Sequence, residues 1–178
     1  MGLHISFELD DDDLDHFRLI MMQARNVAAR KSPEEIVATA DLLMQGLAAQ
    51  RTSGFITERL QDLRLMRRMI SDVDWRLPHE ETNRVLNALA YFAEPDDLIP
   101  DEIPGLGFLD DAIMIELVVR ELLHEIEAYR EFCEYRTQQA PQVDTELEAV
   151  RIKLQARMRQ RRQDELQQGS DHERRLLD

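Results

Sequence analysis

The sequence predicts an all-α protein, a compact bundle of about five to six helices with a short strand-like segment at its N-terminus. Three observations carry that expectation. Apolar residues recur at intervals of three and four along most of the chain, the period of a helix that buries one face. Helix-start signatures fall between those runs, and proline or glycine closes them. A chain of 178 residues is also long enough to bury a core without disulfides or metals. We read residues 1–140 as one helical domain and 141–178 as an amphipathic, basic C-terminal helix ending in a frayed tail.

Residues 4–9, HISFEL, alternate polar and apolar, which puts Ile5, Phe7 and Leu9 on one face of a short strand. No later segment reads as its partner, so an exposed edge is expected to pair between chains or to lie on the helices. From Leu14 the period becomes helical through Phe17, Met21, Ala24 and Ala28, preceded by the capping acids Asp10 to Asp13. In SPEE, residues 32–35, Ser32 is the N-cap, Pro33 the first helical residue and Glu35 the capping-box acid. Ile36, Ala40, Leu43 and Leu47 form the stripe of that helix, and Ile56, Leu60, Leu63, Met66 and Ile70 that of the next. Trp75 and Pro78 mark a boundary before a fourth helix lined by Val85, Leu86, Leu89, Phe92 and Ala93, which must stop at Pro95. Ala112 to Leu123 is apolar nearly all round and predicts a buried helix that continues, with a narrower stripe, toward Gln138. Pro141 is expected to open the last helix, where Val143, Leu147, Val150, Leu154 and Met158 recur at coiled-coil spacing.

Residues 94–111, EPDDLIPDEIPGLGFLDD, hold seven carboxylates and no basic residue among Leu, Ile, Pro and Gly. Two Ile-Pro pairs stiffen this corner, Pro104-Gly105 suits a type II turn, and Gly107 permits a last turn before Asp110 as N-cap and Asp111 in the first turn. Turns and caps thus account for the acids. The chemical alternative gathers Asp97, Asp101, Asp110 and Asp111 around a divalent cation, Mg²⁺, Mn²⁺ or Ca²⁺, as all-oxygen ligation would favour. The run from Asp10 to Asp15 fails as a calcium loop, since His16 stands where glycine is needed and Met22 where glutamate is. Glu121 and His124 form one ExxH on a helix, whereas di-metal bundles use two. Cys133 sits on an apolar stripe and reads as core.

Ala90-Tyr91-Phe92, Pro95, Asp97-Leu98-Ile99-Pro100-Asp101, Ile103-Pro104, Gly105, Gly107 and Leu109-Asp110-Asp111 together resemble the YkvA family, a bacterial domain of unknown function. The likeness covers about residues 84–123, with Pro95, Pro100, Pro104, Gly105 and Gly107 as its structural residues. It implies a small helical domain, sometimes found in membrane-attached proteins, and no established activity, cofactor or catalytic residue.

A net charge of −14 opposes nonspecific binding to nucleic acid or anionic lipid. Residues 151–178 nevertheless carry eight Arg or Lys against five acids, a basic tail on an acidic body. The N-terminus lacks the basic and apolar regions of a secretory signal, and a single cysteine suits a reducing compartment, so a cytoplasmic location is expected. The expected function is that of a noncatalytic module that forms a homodimer or binds another protein through Ile5, Phe7, Leu9, Leu147, Val150 and Leu154, with no cofactor. A divalent-metal hydrolase built on the corner is the alternative, and peripheral membrane association is less favoured.

Overall fold

Residues 8–28, 30–48, 54–93, 109–138 and 144–177 are described by a computed structural model. Among them are α1 (Asp11–Ala28), α2 (Pro33–Ala48), α3 (Gly54–Ser71), α4 (His79–Leu89), a 3₁₀ turn (Ala90–Ala93), α5 (Leu109–Glu121), α6 (Leu123–Gln138) and α7 (Asp144–Leu177). The protein is all-α, with no strand among the described residues. Ile5 and Phe7 of the expected strand lie outside those residues, while Leu9 is half-buried and precedes α1 without regular structure.

The helix starts follow local chemistry. Asp13 N–H donates to Asp10 Oδ1 at 2.9 Å and Asp10 N–H donates to Asp13 Oδ2 at 3.2 Å, a reciprocal box with aspartate in the glutamate position. At α2 the Ser32 amide donates to Glu35 Oε2 at 2.6 Å while Glu35 N–H donates to Ser32 Oγ at 3.3 Å. α4 follows Pro78, whose carbonyl accepts both the amide and the hydroxyl of Thr82. The 3₁₀ turn tightens the chain ahead of Pro95, where a regular helix could not continue.

The chain divides into two compact units, one of residues 1–63 and 86–118 and the other of 64–85 and 119–178. In the first, the 3₁₀ turn packs against α1 and α2, and Ile56, Leu60 and Ala112 form a cluster joined by Leu43 and Met44. Ala112, Ile113, Met114, Ile115, Leu117 and Val118 are all buried, as an apolar helix requires. In the second, α6 packs against α7, and Trp75, fully buried, lies 5.6 Å from the Tyr129 ring and 5.0 Å from Phe132.

Three expectations need correction. The helix through Ala112 does not run unbroken to Gln138: it pauses at the buried Leu122, and α6 begins at Leu123. Ile126 N–H still donates to the Leu122 carbonyl at 2.9 Å, so the break costs little pairing and leaves no glycine or proline signal. Asp110 is the second residue of α5 and not its cap. The segment after Gln163 is helical, because α7 continues to Leu177.

The units differ in charge. Residues 1–63 and 86–118 carry six Lys or Arg against nineteen Asp or Glu, whereas 64–85 and 119–178 carry sixteen against seventeen. Almost the entire net charge of −14 therefore belongs to the first unit.

Candidate functional site

Asp110 and Asp111 are 2% and 8% exposed in the first turn of α5, where the free amides and the positive helix end favour carboxylates. Asp97 and Asp101 lie outside the described residues, as do Pro95, Pro100, Pro104, Gly105 and Gly107. Among the described residues no group of three or more His, Cys, Asp or Glu is placed to hold a metal ion. Nearby in the same unit, Arg59 of α3 pairs with Glu116 of α5 and lies 3.4 Å from Asp62, tying two helices at a half-buried position.

Along α7 the apolar residues expected to face a partner are buried or half-buried. Leu154 is 7% and Met158 1% exposed, and Leu147 and Val150 are half-buried, within the unit that α7 shares with α6. Ion pairs continue where these apolar contacts stop. Arg157 pairs with Glu131, Arg161 Nη1 donates to Glu127 at 3.1 Å, and His124 Nε2 donates to Glu165 at 2.8 Å. Rising numbers on α7 meet falling numbers on α6, so the helices run antiparallel, one turn per rung. Arg157 holds the Glu131 carboxyl below its ordinary range, with Arg161 adding to the effect.

Two glutamates lie almost fully buried beneath this ladder. Glu81 of α4 and Glu125 of α6 are each 1% exposed. Glu81 accepts from Arg159 Nε at 3.1 Å, and Glu125 Oε1 accepts from Arg162 Nη1 at 2.9 Å and Arg84 Nε at 3.0 Å. Arg162 also reaches Glu80 at 3.4 Å, and Arg84 donates to the Glu121 carbonyl at 3.3 Å. A buried carboxylate needs such partners, because desolvation would otherwise push it neutral.

A second cluster surrounds Asp72, one residue beyond α3. Its Oδ1 accepts from Asp74 N–H, Trp75 N–H and Arg136 Nη1 at 3.0, 3.2 and 3.1 Å; its Oδ2 accepts from Tyr129 Oη–H at 2.7 Å and Arg136 Nη2 at 2.9 Å. Burial alone would raise the Asp72 pKa, but Arg136, Tyr129 and the two amides together hold it below 3.8. The Tyr129 phenol is pushed up by burial and by its bond to Asp72, and Asp72 raises Arg136 further. Cys133 is half-buried beside this cluster, its Sγ 4.0 Å from Arg136 Nη2. Neither network was visible in the sequence, since the partners are far apart along the chain. The only local hint was the matching four-residue spacing of Glu127 with Glu131 and of Arg157 with Arg161.

Residues 84–117 match a family model described as a protein of unknown function, DUF1232. An uncharacterized membrane protein, YkvA of Bacillus subtilis (strain 168), is 35% identical over 65 residues, 33% of this chain and 61% of that protein. The likeness to this family is confined to residues 84–117. The matched segment runs from Arg84 in α4 through the 3₁₀ turn and the acidic corner to Leu117 in α5, and residues 86–117 of it lie in the acidic unit. The chain spans 61% of the length of that curated relative, and no solved structure matches it.

Proposed function

We propose that the protein is a noncatalytic interaction module whose acidic unit, bearing most of the segment that matches DUF1232, meets a partner protein with a basic face. The observation that supports this is the partition of charge. The arginines Arg157, Arg159, Arg161 and Arg162 are engaged by glutamates inside their own unit, whereas the other unit holds thirteen acids more than bases. Exposed carboxylates there include Asp11, Asp12, Asp13 and Asp15 on α1 and Glu34 and Glu35 on α2. A field of one sign speeds encounter with an opposite surface and disfavours self-association through that same unit.

The test is cross-linking in the native extract, comparing the protein with a variant carrying Asn at Asp11, Asp12, Asp13 and Asp15. The expected result is a salt-sensitive partner cross-linked to residues 1–63, lost or much reduced in the variant. Partners captured equally by both proteins would sink the reading.

The name of the Bacillus subtilis relative supports a second reading, contact with a membrane. No described helix is long and apolar enough to cross one. Flotation with anionic vesicles tests for a peripheral contact, and sedimentation of all the protein away from the vesicles would remove this reading.

A further inference from the structure

We propose that α7 has two mechanically distinct parts: an apolar anchor, residues 147–158, and a charge-held arm, residues 159–168, that unlatches from α4 and α6 while the anchor stays docked. This concerns only residues 64–85 and 119–178 and is independent of which surface the acidic unit meets.

The change occurs at one point. Leu154, Gln155 and Met158 are buried, and the Gln155 amide donates to the Trp75 carbonyl at 2.7 Å. From Arg159 to Gln168 no side chain is buried, and only Arg162 is even half-covered. Residues 159–168 therefore remove little apolar surface from water, and hydrophobic burial, the main source of local stability, is small there. What holds it is Arg159 on Glu81, Arg161 on Glu127, Arg162 on Glu125 and Glu80, and Glu165 on His124.

Those pairs are poised to open. Arg161 and Glu127 are 46% and 42% exposed, so salt screens them and their mutual gain is small. Glu81 and Glu125 are the opposite case, carboxylates 1% exposed whose partners include Arg159 and Arg162 of the arm. Opening breaks their bonds to Arg159 and Arg162 but returns both to solvent, which offsets much of the loss. Arg84 remains on Glu125 after the arm has left. Release uncovers an arginine face and the glutamate face of α4 and α6 together, so the device sets when these surfaces are available.

Hydrogen exchange of the full chain, followed by mass spectrometry, reads the two parts separately. Raising salt from about 0.02 M to about 0.5 M should speed exchange across 159–168 roughly tenfold while changing 147–158 less than about twofold. Arg161→Glu should give the faster arm already at low salt, and Glu127→Arg with Arg161→Glu should restore it, since the pair is kept with its signs reversed. Anchor and arm changing together, an arm indifferent to both salt and Arg161→Glu, or a reversed pair that fails to restore protection would each overturn the proposal.

Discussion

Asp72→Ala removes one carboxylate and five hydrogen bonds, and its cost can be worked out donor by donor. Tyr129 is fully buried, so its hydroxyl has no water to turn to, and the Trp75 amide is partly buried beside it. A stranded buried donor costs about 1–3 kcal/mol. Arg136 keeps Asp74 at 3.0 Å and is 31% exposed, so its share is below about 1 kcal/mol. The sum is about 2–7 kcal/mol, a fall in Tm of roughly 5–20 °C for a chain of this size. Asp72→Asn keeps one acceptor oxygen and should lose about half as much. The single tryptophan, Trp75, lies in ring contact with Tyr129, so its emission during urea unfolding reports on this unit directly. The pH dependence has a definite sign. The folded pKa of Asp72 is held below 3.8, so its stabilisation is present above about pH 4 and is lost as pH falls through the folded value. The gap between the native protein and Asp72→Asn should therefore close on acidification. A loss under about 1 kcal/mol for Asp72→Ala, or a gap that stays constant to the lowest pH at which the protein folds, would refute the reasoning.

Arg76 adopts φ 45°, a left-handed conformation that suits glycine, and Arg76→Gly should stabilise the protein by about 1 kcal/mol in the same urea assay despite losing its exposed contact to Glu148 at 3.9 Å. Ser32→Ala removes the N-cap of α2 and should cost about 1 kcal/mol, read as a lower urea midpoint by far-UV circular dichroism. Mg²⁺, Mn²⁺ or Ca²⁺ added to chelator-treated protein should leave Tm unchanged; a saturable rise abolished by Asp110→Asn would instead favour a metal site at the acidic corner.

The parts of this structure that were legible in the sequence are those decided within a few residues. Ser32 and Glu35 announce their box by spacing alone, and Ile36, Ala40, Ile56, Leu60, Leu63 and Met66 declare the buried faces of α2 and α3. The break at Leu122 was hidden because an apolar residue there supports either a continuous helix or two helices packed end to end. The length of α7 was underestimated because a polar run has no stripe to count, and its ion pairs lie 26 to 82 residues away along the chain. Asp72 drew no attention for the same reason: its significance depends on Tyr129 and Arg136, 57 and 64 residues later. The corner that dominated the sequence contributes only Leu109, Asp110 and Asp111 to the described residues, the two aspartates buried at the start of α5.

The division of charge also changes what the isoelectric point of about 4.8 means. It is an average that describes neither unit. At that pH the carboxylates are only partly protonated, so a unit with nineteen acids and six bases is still anionic while one with seventeen and sixteen is already cationic. Molecules of zero net charge then carry opposite poles and attract one another. Precipitation near pH 4.8 should accordingly be reversed by added salt, which weakens attraction between unlike charges. A protein that aggregates at its isoelectric point merely for want of repulsion would gain nothing from that salt.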